Sequence, residues 1–194
     1  MSYAPLQLAV IIASTRQGRV GPVVADWFVG QARRHTAMEI DVIDLAATPL
    51  PLAVTSSPAK ETADLLAPVS ARLAAAEAFV VVTPEYNHSF PATIKILIDW
   101  HYTQWRAKPV GFVCYGGRSG GLRAVEHLRL VFAELHAVTI RETLSFHSAW
   151  NRPGDSREQM IPAESDGAAK IMLDQLAWWG QALREARAAH PYEV

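Results

Sequence analysis

Three short segments of this 194-residue chain hold the residue types that could do chemistry. The first is Ser14-Thr15-Arg16-Gln17-Gly18-Arg19. Backbone N–H groups at the start of a helix attract anions, helped by the helix dipole. Ser14 and Thr15 add hydroxyl donors, and Arg16 and Arg19 can meet a phosphate through charge-assisted hydrogen bonds. Gly18 and Gly21 let the backbone curl close, and Val20 begins the apolar face of the helix that follows. An ordinary helix start with solvated arginines fits the same residues about equally well. The chain has no GxxxxGKS/T run, so a nucleoside-triphosphate loop is not supported.

The second segment is Pro84-Glu85-Tyr86-Asn87-His88-Ser89-Phe90-Pro91. Two prolines hold it rigid. It could present backbone N–H groups and the Tyr86 face to a flat ring, with Asn87 serving ring or side-chain oxygens. Read plainly, it is a turn leading into a helix that opens with Pro. The third segment is Gly116-Gly117-Arg118-Ser119-Gly120-Gly121. Glycines cost chain entropy unless something needs close backbone approach. A bound ring or anion is such a need, and a tight loop is the plainer one.

These segments need elements to position them, and the chain supplies an alternation. Leu6–Ala13, Glu39–Asp44, Ala78–Thr83, Pro109–Tyr115 and Val138–Leu144 read as strands, the first as a near-continuous apolar run typical of a buried parallel strand. The fifth is interrupted by Arg141-Glu142. Between them run helical faces: Val20, Val23, Val24, Trp27 and Phe28; Leu66, Val69, Leu73 and Ala76; a helix over Pro91–Trp100; and Leu122, Val125, Leu128, Phe132 and Leu135. Met172, Leu176, Trp179 and Leu183 mark a last helix. Residues 45–64 and 146–165 read as loops. Five strand–helix units imply one domain over residues 1–194, an open parallel sheet with helices on both faces. Ligands of such sheets sit beyond the carboxyl ends of the strands, near the switch in strand order. The three segments follow the first, third and fourth strands.

Charge and composition set further bounds. Net charge is −1 and half the residues are hydrophobic (50%), enough for one large core and without the basic block a nucleic acid would require. The apolar run Leu8–Ala13 is too short to span a membrane and lacks signal-peptide flanks. Cys114 is the only cysteine, which is compatible with a reducing cytoplasm. It lies on an apolar strand and reads as a small buried hydrophobe. A phosphatase loop would need Arg six residues on, where Gly120 stands. The histidines lack metal-ligand spacing, so no metal is expected. His88 and His147 read as loop histidines, Lys95 and Asp99 as a helix-surface pair. Trp100, Tyr102 and Trp105 form an aromatic cluster, either core or contact surface. Of Trp178 and Trp179, one is expected in the core and one partly exposed.

Taken together, Ser14-Thr15-Arg16-x-Gly18-Arg19, Pro84-Glu85-Tyr86-Asn87-x-Ser89-x-Pro91, Ile94-Lys95 and Asp99-Trp100 resemble the NADPH-dependent FMN reductase family, which includes azo-, quinone- and chromate-reducing members. The resemblance covers about residues 6–140. It departs at Ala13, where the family often has Gly, and at Ile94-Lys95-Ile96, where it often has Leu-Lys-Asn. The resemblance implies a flavodoxin-like fold and a flavin oxidoreductase. Hydride would pass from NADPH or NADH to FMN and on to free flavin, a quinone, an azo compound or a metal oxyanion. Ser14, Arg16, Gly18, Arg19 and Val20 would grip the FMN phosphate. Pro84, Glu85, Tyr86 and Asn87 would lie along the flavin, and Gly116 and Gly117 would border the pyrimidine end of the ring. Arg118 could meet a nicotinamide 2′-phosphate. A homodimer or tetramer in the cytoplasm, bound neither to nucleic acid nor to membrane, is expected. The alternatives are a flavodoxin-type electron carrier, against which the near-neutral charge argues, and a flavin-holding redox sensor.

Overall fold

The computed structural model describes residues 4–35, 37–147 and 161–193. Its sheet is five parallel strands, β1 (Leu6–Ile12), β2 (Met38–Asp44), β3 (Ala78–Pro84), β4 (Pro109–Tyr115) and β5 (Val138–Phe146), in the order β2-β1-β3-β4-β5. The helices are α1 (Gly21–Arg34), α2 (Lys60–Ala75), α3 (Ala92–Trp100), α4 (Leu122–Glu134) and α5 (Ser165–Ala189), with a 3-10 turn over Thr103–Trp105.

The alternation of side chains along a strand sorts the core into two layers. From β1, Leu6, Leu8, Val10 and Ile12 pack with Trp27 and Phe28 of α1 and Met172, Leu173 and Leu176 of α5. Ala9, Ile11 and Ala13 face the other way, toward Leu73 of α2, Ile94 and Leu97 of α3, and Leu128 and Phe132 of α4. Both faces are covered, so β3 and β4 are buried at every position, which is why they read as unbroken apolar runs. The strand order is the flavodoxin-like one. From β1 the chain goes outward to β2 and returns on the far side to β3. The loops after β1 and β3 therefore leave on opposite faces and open a crevice between them.

Beyond shifts of one residue at the ends of β1, β2 and β3, three elements differ from the sequence expectation. Helix α2 starts at Lys60, inside the expected 45–64 loop, and holds Pro68 within it. Strand β5 runs past Leu144 to Phe146, because the Arg141-Glu142 interruption is absorbed as an irregularity. Val110 of β4 faces Thr139, whereas Phe112 faces Thr143. Arg129 of α4 braces that irregularity, donating from Nη1 to the Ile140 carbonyl at 2.7 Å and from Nη2 to the Thr143 hydroxyl at 2.9 Å. The helix after the second loop begins at Ala92, with Pro91 just outside it. Most of the expected 146–165 loop lies outside the described residues. Trp178 is exposed and Trp179 packs partly against the core.

Candidate functional site

The carboxyl ends of β1, β3 and β4 bring the three segments to one rim of the sheet. The first segment leaves β1 with Ser14 fully buried and Thr15, Arg16, Gln17 and Gly18 exposed. Gly18 has φ +67°, the left-handed region that turns the chain back toward α1, and its Cα faces open space. Val20 is the residue before α1 and is half-buried. Among the described residues, no group accepts from the N–H groups of Thr15, Arg16, Gln17, Gly18 or Val20. The first turn of α1 holds no acidic residue. A run of outward amides, a helix start without negative charge and an adjacent guanidinium form an anion cradle.

The two arginines of this segment have different partners. Arg19 turns inward and forks onto Asp44 at the end of β2, with two bonds of 2.6 Å, and also donates to the Ser14 carbonyl at 2.9 Å. The guanidinium holds the Asp44 carboxyl below its usual range, against the opposing effect of burial. Arg19 is thus a tie between β2 and the loop. Arg16 lies over the Tyr86 ring, 3.6 Å from its centroid, and so joins the first segment to the second. Burial raises the Tyr86 phenol while Arg16 and Arg19 pull it partly back.

Pro84 is the buried last residue of β3. The Glu85 N–H donates to the Tyr115 carbonyl at 3.0 Å. Its carboxylate, only 5% exposed, takes Arg123 Nη2 at 2.5 Å, the Ser119 hydroxyl at 2.7 Å and the Arg123 backbone N–H at 3.2 Å. Burial works to raise this carboxyl, but the bonds from Ser119 and Arg123 outweigh it and leave it below its ordinary value. Glu85 therefore clamps the glycine segment and the start of α4 to the second segment. Tyr86 and Ser89 exchange backbone bonds of 2.8 and 3.1 Å around Asn87 and His88, both in the left-handed region (φ +50° and +72°). That tight turn presents Asn87 and His88 outward. His88 Nδ1 accepts from Arg123 Nη1 at 3.0 Å, and the Ser89 hydroxyl meets His127 Nδ1 at 2.9 Å.

In the glycine segment, Gly120 and Gly121 have φ +61° and +91°. A Cβ on Gly121 would stand 2.7 Å from the Tyr115 amide nitrogen, so packing requires these two glycines before any ligand is considered. Gly116 donates its N–H to the Phe146 carbonyl at 3.1 Å, so that donor is engaged. Gly117 is half-buried, and its carbonyl accepts from Gly120.

The structure thus brings Ser14, Arg16, Gly18, Tyr86, Asn87 and Gly117 to one rim, with Arg19 and Glu85 turned inward as ties. Sequence reading missed Asp44, Ser119, Arg123, Thr93 and Tyr115. Thr93 donates to the Ala13 carbonyl at 2.6 Å and pins α3 to the end of β1. A strand-terminal Asp at the same rim as two arginines was the signal for Asp44; none of the others had one. A cleft of about 320 Å³ lies beside the first segment, lined by Thr15, Leu45, Leu50, Leu52, Thr93 and Ile96 among others. No group of three His, Cys, Asp or Glu among the described residues could hold a metal ion. No described helix is long and apolar enough to cross a membrane.

Comparison with known proteins gives one consistent result. The family described as NADPH-dependent FMN reductase matches residues 6–151. An NAD(P)H-dependent FMN reductase of Schizosaccharomyces pombe is 33% identical over 122 residues, 59% of this chain and 60% of that protein, so the match spans less than two thirds of the relative. An FMN-dependent NADPH-azoreductase of Staphylococcus haemolyticus is 26% identical over 86% of this chain and 91% of its own length. An NAD(P)H:quinone oxidoreductase of Solanum tuberosum is 32% identical over 77% of this chain and 78% of its own. Among solved structures, an NADH:FMN oxidoreductase in its apo form superposes with TM-score 0.67 at 12% identity, covering 89% of both chains. RosB superposes with TM-score 0.73 at 10% identity, covering 97% of this chain and 88% of that one. These last two likenesses are of fold.

Proposed function

Since the chain belongs to the NADPH-dependent FMN reductase family, whose members are flavin oxidoreductases working with FMN and NAD(P)H, we propose that it holds FMN across the three-segment rim and passes electrons from a nicotinamide to a small acceptor. The observation that carries this reading is the loop of Thr15, Arg16, Gln17 and Gly18, whose amides have no acceptor among the described residues. A phosphomonoester supplies what that loop lacks, a compact dianion with several acceptor oxygens. The residues fit the group.

In this reading Ser14, Arg16, Gly18 and Val20 hold the phosphate end. Arg19 serves from below by fixing the loop to Asp44. Pro84, Tyr86 and Asn87 border the flat ring, and Glu85 keeps that wall in register with the glycine segment. With the Gly116 N–H already given to Phe146, ring-edge donation falls to the Gly117 amide. FMN, when bound, supplies the hydride chemistry. The chain binds, orients and excludes water, and no side-chain nucleophile is required. The acceptor class follows the relatives' names: quinones and azo compounds, with free flavin and metal oxyanions as further candidates.

We place the protein in a reducing cytoplasm, as a homodimer. Supporting the dimer, Leu52, Val54 and Tyr102 are exposed, and Trp100 at the end of α3 donates to the Pro51 carbonyl at 2.8 Å, drawing that apolar loop to the helix. A monomer by sedimentation would refute the dimer. For the activity, purified protein is assayed for bound flavin and for NADPH and NADH oxidation with added quinones. Failure to bind FMN after reconstitution overturns the reading.

A further inference from the structure

The end of β5 carries Ser145 and, one residue past the strand, His147. Both reach the glycine segment. The Ser145 hydroxyl donates to the Gly120 carbonyl at 3.0 Å, and His147 Nδ1 donates to the Arg118 carbonyl, also at 3.0 Å. A carbonyl oxygen can only accept, so this bond assigns the ring hydrogen to Nδ1. Nε2 is then the nitrogen left to take up a proton and give it back. The imidazole lies on the glycine segment, for a Cβ at Gly120 would stand 2.8 Å from Nε2. The residue is exposed, and Nε2 has no hydrogen-bond partner among the described residues.

A proton is what the proposed reaction lacks. A nicotinamide gives up a hydride, which is two electrons and one proton. Turning a quinone into a hydroquinone takes two electrons and two protons, so each turnover draws one proton from elsewhere. Few groups of this rim can supply it. Asp44 through its bond with Arg19, and Glu85 against burial and through Ser119 and Arg123, stay below the ordinary carboxyl range and have no proton to give at neutral pH. Burial pushes the Tyr86 and Tyr115 phenols and the Cys114 thiol up, so these hold theirs. His88 Nδ1 accepts from Arg123, and charging that ring would break the bond and set two cations together. His127 stands more than a turn into α4, away from the strand ends. His147 can gain a proton on Nε2 and keep its bond to Arg118.

We propose that His147 delivers the second proton to the electron acceptor. Its imidazolium gives the Nε2 hydrogen to a quinone oxygen as the electrons arrive, and the neutral ring takes a proton back from water. An N–H bond breaks and an O–H bond forms. In sum, quinone, NAD(P)H and one proton become hydroquinone and NAD(P)+. The same transfer serves the nitrogen of an azo compound. The Arg118 carbonyl orients the ring through Nδ1, and Ser145 holds the segment that carries that carbonyl. The inference rests on the functional reading above and adds the acid that quinone reduction requires.

The test sets menadione, a naphthoquinone that takes up electrons and protons, against ferricyanide, which takes up electrons alone. Wild type, His147→Ala and His147→Asn are reconstituted with FMN, and NAD(P)H oxidation is followed with each acceptor. Asparagine keeps an N–H donor where Nδ1 stands and has no counterpart of Nε2, so it separates proton delivery from the tie to Arg118. Both variants should lose roughly ten- to a hundredfold in the menadione-to-ferricyanide rate ratio, at or below the low end of what general acids contribute because water also delivers protons. An equal loss with both acceptors leaves the ratio unchanged, means that His147 is merely structural, and overturns the proposal. A wild-type ratio in His147→Asn alone assigns the residue to the tie and overturns it as well. In the flavin-free protein, long-range proton–nitrogen NMR should find the neutral His147 ring with its hydrogen on Nδ1, and a hydrogen on Nε2 instead contradicts the proposal without reference to activity. Wild type that oxidises NAD(P)H with neither acceptor sinks the functional reading. Wild type active with both, and variants that share its ratio, sink this inference alone.

Discussion

The Arg16 guanidinium sits over the Tyr86 ring at 3.6 Å from its centroid, joining the first loop of the rim to the second. A planar guanidinium can stack by its face and still donate from its edge. The stack therefore fixes Arg16 without consuming its hydrogen bonds. Arg16→Ala should weaken FMN binding by about 1.5–3 kcal/mol, the worth of a bond to a charged group. Tyr86→Leu removes the stacking partner of Arg16 together with the face that borders the ring, and should weaken binding by at least about 0.5–2 kcal/mol. Flavin fluorescence titration measures both, and unchanged affinity in Arg16→Ala rules out its phosphate role.

The Arg19–Asp44 fork makes stability depend on acid. Asp44 is depressed in the folded state, first by its hydrogen bond with Arg19. Its contribution is complete above the unfolded carboxylate value of about 3.9. It is lost as pH falls below that value and through the lower folded one. Asp44→Asn should cost about 1 kcal/mol at neutral pH and flatten this part of the acid limb. Urea unfolding from pH 7 down to 3 gives both curves, and parallel curves exclude the tie.

Glu85 holds two loops together from a buried position. Glu85→Ala strands the Ser119 hydroxyl and the Arg123 N–H, and stability should fall by about 2 kcal/mol. Glu85→Gln keeps an acceptor for Ser119 and should lose less. Equal loss in both would assign the effect to charge alone.

Two glycines in the left-handed region should respond differently to alanine. Gly18 faces open space, so Gly18→Ala carries only the backbone cost of about 1–2 kcal/mol. Gly121→Ala adds a Cβ 2.7 Å from both the Cys114 Cβ and the Tyr115 nitrogen, and should cost clearly more. Thermal melts of the two variants decide it.

Cys114 lies fully buried, and burial pushes its thiol up to about 12. At pH 8 it should resist alkylation and react only on unfolding. Labelling at the rate of an exposed thiol would contradict its placement.

Much of this was legible from residue types alone. Runs such as Phe79–Val82 have no polar face because the sheet is covered on both sides, so strand identity and the double layer could be read directly. Ser14, Tyr86 and Gly117 converge because a parallel sheet sends every such loop to the same rim. What stayed hidden depends on pairs far apart in the chain. Arg19 looked like a phosphate ligand until Asp44 stood beside it. The glycines at 120 and 121 looked like room for a ligand, whereas Ser145 and His147 beside the first and the Tyr115 backbone beside the second require them. Arg141-Glu142 looked like an interruption of the fifth strand, because an irregularity braced by Arg129 leaves no mark in local composition, and the extension to Phe146 went unread. The start of α2 was missed because Lys60 follows a proline-rich stretch and no side chain caps it.

Helix α5 lies against β1 so tightly that a Cβ at Gly180 would stand 2.6 Å from the Leu6 side chain. Arg184 ties the same edge down through the Ala4 and Pro5 carbonyls and Glu77. On the ribosome the first strand emerges long before the helix that covers it. Leu6, Leu8 and Val10 can meet Trp27 and Phe28 of α1 early, but the part of this layer that α5 covers stays open while more than a hundred and fifty residues follow. Cotranslational folding can assemble the other layer early, but closure of this one is deferred until synthesis has passed α5.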